Sequence, residues 1–403
     1  MESKTINNIY REINKISLFF KNYVNKYLKQ QTDYIYSKKS SLNDGLLFHL
    51  LKTKLNNTQQ NVTTSISLIN KQKISRQALT KRSNLISITH LNYLYTSLTN
   101  KFNIFNNDAS LSSVDGTKIN IYNKNTDKGY ETINLLGIYN NNNIPNNIYK
   151  NKDVNKSEIQ LFYEYIDKNL FDKTKTLVLD RLYFSNKLIN KCIDNNINFI
   201  SRLKSNTQYL NKYYLFDKNV DEIKTYNQND YIVTLNNNKQ IRIISFKQND
   251  NIYHIASTLL DSNKYNINYF KNAYKTRWDI EIYFKITKAN TNLNNIKSKN
   301  MDKINKEIIS TNIISFLYSY ILKIYNKYSK NNKKINNSLF INKFYDHLLD
   351  KIVNNKLNFK IFSLIMDIII VTYNNTNKNN INPRYSIMPY TKWHYKYIFK
   401  ELV

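Results

Sequence analysis

Tyr274-Lys-Thr-Arg277-Trp278-Asp-Ile-Glu281-Ile-Tyr-Phe-Lys-Ile-Thr-Lys288 is the stretch on which the reading of this chain turns. It holds neither Pro nor Gly, and its apolar residues recur at helical spacing, which predicts a helix. At about 100° per residue, Tyr274, Arg277, Glu281 and Lys288 fall within roughly 60° of one another. A second stripe, Trp278, Ile282, Ile286, Ala289 and Leu293, is placed to pack against a core. One line of the helix thus carries a phenol, a guanidinium, a carboxylate and an ammonium, a mixture suited to metal ions and phosphates. An ordinary amphipathic helix accounts for the same residues if Arg277 and Glu281 only form an exposed i,i+4 pair, worth about 0.3–0.5 kcal/mol.

Sixty Lys and Arg against 29 Asp and Glu give the 403-residue chain a formal net charge of +31. Such a charge points to a polyanionic partner, nucleic acid above all. The abundance of Asn, Ile, Lys and Tyr is also what an AT-rich genome encodes, so part of the lysine excess carries no message. Arg is scarce, at positions 11, 76, 82, 181, 202, 242, 277 and 384, and each Arg is therefore the better clue. With a single cysteine, Cys192, the chain can form no internal disulfide and offers no Cys-based metal site. The five His form no ligand pair at helical or finger spacing. The start does not read as a signal peptide. The longest apolar run, around Phe362–Val371, is broken by Asp367 and too short to span a bilayer. These features predict an intracellular, soluble, DNA-associated protein with no membrane partner.

The first hundred residues read as helical and basic. Thr64–Asn70 and Ser75–Arg82 suggest two helices with a turn between, Ser75 being the N-cap of the second. In a helix-turn-helix, Arg76, Gln77 and Arg82 would face DNA. From about residue 108 the pattern changes. Ser113–Ile121 alternates as a half-buried strand, Thr132–Tyr139 is a second, and a short third follows near Ile148. A helix over Ser157–Leu170, a buried strand Thr176–Asp180, a helix Asn186–Asp194 and a strand Asn198–Leu203 complete a β-β-β-α-β-α-β order. That order implies an α/β fold with a mixed sheet covered by helices. Residues 205–258 are hairpin-like, with strands at Tyr231–Leu235, Gln240–Phe246 and Ile252–Thr258, and read as a β-rich insertion. Lys303–Lys327 and Leu339–Tyr373 read as long helices.

Asp115 and Asp180 each stand at or near a strand end, where a carboxylate can project into a crevice at the sheet edge. Glu281 lies on a helix able to pack beside that sheet. Three carboxylates without Cys or His partners suit hard cations such as Mg²⁺ or Mn²⁺.

These residues also carry a resemblance. Asp115-Gly116-Thr117 resembles the first catalytic Asp motif of the DDE transposases, and Asp180-Arg181-Leu182-Tyr183 resembles the second. Tyr274, Arg277, Glu281 and Lys288 are similar to the Tyr-x2-Arg-x3-Glu-x6-Lys signature of one large bacterial insertion-sequence branch. The order and the gaps agree, 65 residues from Asp115 to Asp180 and 101 from Asp180 to Glu281, the longer gap holding the β-rich insertion. The resemblance covers roughly residues 60–400.

What the resemblance implies is an RNase H-like catalytic core, residues 106–300 with the insertion at 205–258. A helical DNA-binding region would occupy 1–105, and a helical C-terminal region, for dimerisation or DNA contact, 301–403. It implies that Asp115, Asp180 and Glu281 bind two Mg²⁺ or Mn²⁺ ions and catalyse the cutting of transposon ends and the transfer of the 3′-OH strand to target DNA. Arg277 would hold phosphate and orient Glu281, while Tyr274, Lys288, Arg202 and Lys204 would contact DNA. The implied partners are double-stranded DNA with terminal inverted repeats, target DNA, and a second copy of the chain in a DNA-bound homodimer. Two departures stand out. Leu182 replaces the Gly usual after Asp180-Arg181, and the insertion holds no Trp, leaving Tyr213, Tyr214 and Phe216 as its candidates for stacking a flipped base. A DNA-binding protein that no longer transfers strands, and a stand-alone nuclease on the same fold, are the alternative readings.

Overall fold

The computed structural model describes residues 3–31, 39–102, 111–122, 130–140, 144–149, 156–203, 220–227, 229–235, 238–248, 251–296, 298, 300–328 and 337–371. The N-terminal part is helical. α1 (Ser3–Asn22) runs through a π-helical stretch (Tyr23–Leu28) into the short α2 (Lys29–Gln31); α3 (Lys39–Lys52), α4 (Gln59–Asn70), α5 (Arg76–Asn84) and α6 (Ile88–Lys101) follow. The last three begin at hydroxyl caps. Thr58, Ser75 and Ser87 each accept the backbone N–H three residues on, which meets one of the donors a helix start leaves unpaired.

Next come β1 (Leu111–Tyr122), β2 (Tyr130–Asn140), β3 (Ile144–Tyr149), α7 (Glu158–Asp167), β4 (Thr176–Leu179), α8 (Asn186–Asp194) and β5 (Phe199–Arg202). This is the expected order. β1, β4 and β5 are parallel, while β2 and β3 add to β1 as an antiparallel meander.

β6 (Val220–Asn227), β7 (Asp230–Leu235), β8 (Gln240–Gln248) and β9 (Asn251–Ser257) form the insertion. The insertion is not a module apart. β9 pairs with β5, so among the described residues one ten-stranded sheet runs β3-β2-β1-β4-β5-β9-β8-β7-β6, and the two-residue β10 (Asn295–Ile296) joins β1.

Strand alternation divides the core. On one face Val114, Leu136, Leu177, Leu179 and Phe199 pack under α7 and α8. On the other, Val178 and Ile200 meet Phe270, Ala273 and Tyr274 of α9 (Ile267–Lys275). There too Ile119, Ile133 and Leu135 meet Ile280, Tyr283 and Phe284 of α10 (Arg277–Asn290). The stretch expected as one helix is therefore two, joined at Thr276, whose backbone stays in the helical region.

The apolar stripe expected to face the core does not do so as a unit. Trp278 is 54% exposed and Ile282 52%, whereas Leu293 is buried. Ile280, Tyr283 and Phe284 take the core side because Gly137 of β2 leaves a slot for the Phe284 ring. A Cβ on Gly137 would stand 2.3 Å from that ring.

The chain ends, as far as it is described, with α11 (Met301–Tyr328), α12 (Asn337–Lys343), a π-helical stretch (Phe344–Leu348), α13 (Leu349–Val353) and α14 (Phe359–Val371). The long second helix expected over 339–373 is thus interrupted, with a break at Asn354–Asn358 where Asn355 has φ 53°. α11 is long and apolar enough to cross a membrane by composition, but 78% of its apolar window is buried inside the protein. Residues of α1, α3, α6, α11 and α14 share one hydrophobic core. The N- and C-terminal helical regions, given separate bounds from sequence, pack as one body.

A buried ion pair ties the insertion to the segment leading into α9. Arg242 of β8, 1% exposed, holds both oxygens of Asp230 through Nε and Nη2 (2.7 and 2.6 Å). Its Nη1 donates to the carbonyls of Asp261 and Tyr265 (3.2 and 2.8 Å), just ahead of α9. Arg242→Ala leaves a buried carboxylate uncompensated, and unfolding in urea is expected to show a loss of about 3–5 kcal/mol. The Arg242→Ala/Asp230→Ala double variant is expected to lose less than the single.

Candidate active site

The site forms where β1 outruns β4. In the parallel β1–β4 pair, Val114 stands opposite Leu179, so Asp115 on β1 and Asp180, the first residue past the end of β4, follow a pair set at the roughly 5 Å spacing of adjacent strands. Both follow the alternation that puts Ser113 and Val178 on the α9–α10 face. Ser113 Oγ donates to the carbonyl of Thr276 at 3.0 Å and fixes the α9–α10 junction over the strand. β1 pairs with β4 up to Val114 and with β10 only from Asn120. Between these points, among the described residues, the edge beside Asp115 is a notch.

Arg277 opens α10 above this notch. Its guanidinium donates through Nη1 to Glu281 Oε1, and its side chain is 8% exposed against 38% for Glu281. That burial decides against an ordinary surface pair. The guanidinium lies 5.8 Å from the Tyr274 ring centroid and 4.9 Å from that of Trp278. Its Nε and the Tyr274 hydroxyl are buried without a hydrogen bond of good geometry. Burial by itself would lower the Arg277 pKa, but Tyr274, Glu281 and Asp180 hold it above the usual value. Burial pushes the Tyr274 phenol up to about 12.

Arg202, at the end of β5, lies 4.5 Å from the Tyr253 ring centroid, and Tyr253 in turn sits 6.2 Å from Tyr274. Cations and aromatic rings therefore run from the insertion to Glu281. Lys288 is two turns away, where its Nζ donates to the carbonyl of Lys118 on β1 at 2.8 Å. Of the residues expected from sequence, the structure gathers Asp115, Asp180, Glu281, Tyr274, Arg277 and Arg202, with Lys288 at the margin. Lys204, Tyr213, Tyr214 and Phe216 lie outside the described residues.

Arg76, Gln77 and Arg82 belong to a different region. Arg76 and Gln77 are exposed on the first turn of α5. Arg82 instead forms an ion pair with the buried Asp44, which also accepts Asn70 Nδ2 at 2.8 Å. Its side chain thus fastens α5 to α3 and α4.

Sequence reasoning missed Glu158. Tyr183, which is 1% exposed, donates its hydroxyl to Glu158 Oε1, and the Glu158 carboxyl lies against Gly116, next to Asp115. An acidic residue at a helix start looks like a dipole partner, so nothing in the sequence singled it out.

Electrostatics draws the group together. Burial first, then the charge of Glu158, pushes Asp115 up to about 7; the Gly116 N–H, which donates to Oδ1 at 2.9 Å, and Arg277 pull it down, and Glu281 raises it again. Among the described residues no three acidic, His or Cys side chains stand close enough to cage a metal as they are, Glu281 being drawn onto Arg277. The donor set still fits a hard divalent cation. It offers carboxylate oxygens only, and the repulsion felt at Asp115 is what a cation relieves. A separate cavity of about 280 Å³, lined by Asp279, Tyr283, Tyr318 and Phe344 among others, includes none of these carboxylates.

A family model, the transposase DDE domain, matches residues 106–317, more than half of the chain. The chain belongs to that family: it is a DNA transposase with an α/β core, a divalent-metal-dependent enzyme that acts on DNA within the cell. No curated protein matches it. A cryo-EM structure of a piggyBac transposase synaptic complex with hairpin DNA is similar at a TM-score of 0.41 and 11% identity, over 95% of this chain and 86% of that one.

Proposed function

We propose that Asp115, Asp180 and Glu281 are the catalytic carboxylates and that they hold two Mg²⁺ or Mn²⁺ ions for cutting transposon ends and transferring the freed 3′-OH strand to target DNA. The observation that carries this reading is the register of β1 against β4. It sets Asp115 beside Asp180 on the sheet face where the buried Arg277 carries Glu281. Bound there, the ions would activate the attacking oxygen and stabilise the leaving one.

The chain's own residues do the positioning. Arg277 keeps a carboxylate aimed at the notch and has a buried Nε to offer a phosphate oxygen. The Tyr274 hydroxyl is a second such donor. Arg202 extends a cationic track for the DNA backbone toward the insertion, Lys288 extends it along α10, and Lys204 is a further DNA contact. The helical region 1–105 reads the element's ends through the exposed Arg76 and Gln77 on α5. Arg82 joins them in contacting DNA, while its ion pair with Asp44 holds α5 in place. The substrate is double-stranded DNA with terminal inverted repeats, joined to target DNA by a homodimer assembled on it, with the helical region 301–403 supporting that assembly.

The test uses labelled DNA carrying the gene's own flanking sequence, mixed with target DNA and Mg²⁺. Cleavage leaving a 3′-OH at the element end, followed by products in which that end is joined to target, is the expected result. Cleavage without any joined product would make the protein a nuclease on the same fold.

A further inference from the structure

Glu158 is placed by three independent constraints. It is the first residue of α7, whose start is fixed by a capping box: Ser157 Oγ accepts Gln160 N–H at 3.3 Å, and Ser157 N–H donates to Gln160 Oε1 at 2.7 Å. Its Oε1 is held by the Tyr183 hydroxyl. That phenol cannot wander, because its ring is buried 5.0 Å from Phe162 and its backbone N–H closes the turn onto the Asp180 carbonyl at 3.1 Å. Finally, the carboxyl fills the space a side chain at position 116 would need. A Cβ on Gly116 would lie 2.1 Å from both Oε2 and Cδ of Glu158. Gly116 thus lets a carboxylate come against β1 from the α7 side, one residue from Asp115.

A stabilising partner for the α7 dipole needs no such arrangement, since an exposed carboxylate anywhere in the first turn suffices. Asp115 leaves β1 toward α9–α10 and Glu158 reaches it from the α7 side, but between Val114 and Asn120 this edge of β1 is open among the described residues. The two charges therefore still repel, and a cation bound in that opening would offset the cost.

We infer that Glu158 is a fourth carboxylate of the active site, part of the shell around the divalent cation carried by Asp115, with Tyr183 and Gly116 as the residues that position it. This rests on the reading of Asp115 as a metal-binding carboxylate.

The test is Mn²⁺ binding to the full chain without DNA, followed by the loss of the free-ion paramagnetic resonance signal, with melting temperature recorded alongside. Glu158→Gln keeps an acceptor for Tyr183 and removes the charge. It is expected to weaken Mn²⁺ binding by about tenfold or more without lowering the metal-free melting temperature. Tyr183→Phe, which frees the carboxylate but keeps its charge, is expected to give a smaller loss in the same direction. Asp115→Asn is the reference and is expected to lose Mn²⁺ binding most. If Asp115→Asn loses binding while Glu158→Gln and Tyr183→Phe bind Mn²⁺ as the wild type does, Glu158 serves only the helix and the inference is overturned. If Asp115→Asn itself binds Mn²⁺ normally, the underlying metal-site reading fails with it.

Discussion

Asp115→Asn is expected to remove strand cleavage and at the same time to raise the stability of the metal-free protein at pH 8. The two effects share a cause. Burial and the neighbouring charge of Glu158 push the Asp115 carboxyl from the usual 3.8 up to about 7, so the folded state disfavours its ionised form. A carboxyl raised on folding supports the fold below its unfolded value and loses that support as pH climbs through the folded one. The window here is about pH 4 to pH 7. Wild-type protein in EDTA should therefore melt higher at pH 5 than at pH 8, and Asn at 115 should flatten that difference. Added Mn²⁺ should raise the melting point of the wild type and leave the variant nearly unmoved. A functional carboxylate kept at a cost in stability is the trade expected of an active site. Calorimetry across pH, with and without metal, measures it. A variant that melts no higher than the wild type at pH 8 without metal would show that the Asp115 charge is not under strain.

Arg277→Ala is expected to slow single-turnover cleavage of a labelled transposon end by about 10²-fold or more. The guanidinium is buried, paired with Glu281 and flanked by the Tyr274 and Trp278 rings. Its loss frees Glu281 from its pairing and takes a charge-assisted donor away from the notch. Arg277→Lys is expected to recover only part of the rate, because an ammonium cannot reproduce a planar fork or the ring contacts. An exposed pair would instead cost well under about 1 kcal/mol and leave the rate alone. A normal rate in Arg277→Ala would assign this residue to structure.

Much of the catalytic core was legible in the chain because its signals are local. The run Thr176–Leu179 is buried throughout and reads as a central strand. Outside the core, Ser75 caps the helix it precedes, as its place before a helical run indicates. The line Arg277, Glu281 and Lys288 has a spacing that only a helix can unite. What was not legible depends on what lies across from a residue. α10 has apolar residues on two sides, and periodicity alone could not say which one meets the sheet. Gly137, far away in sequence, decides it by admitting Phe284. Glu158 looked like any acid at a helix start until Gly116 and Tyr183 were seen against it. The insertion's β6 went unread, and nothing local indicated that β9 would pair with β5. The common core of the first and last helical regions joins residues some 300 apart, which leaves no pattern in either segment. The ion pair of Arg82 with Asp44 was equally out of reach, since Asp44 lies on another helix 38 residues away.

The most direct test of the account is the single-turnover cleavage rate of a labelled transposon end by wild type, Asp115→Asn, Asp180→Asn and Glu281→Gln in Mg²⁺, with DNA affinity measured on the same preparations. Three carboxylates, on a strand, just past the end of a second and on a helix, acting as one metal-dependent site predict that each substitution alone removes cleavage while DNA binding stays close to that of the wild type. Cleavage at a near wild-type rate by any one of the three would contradict it.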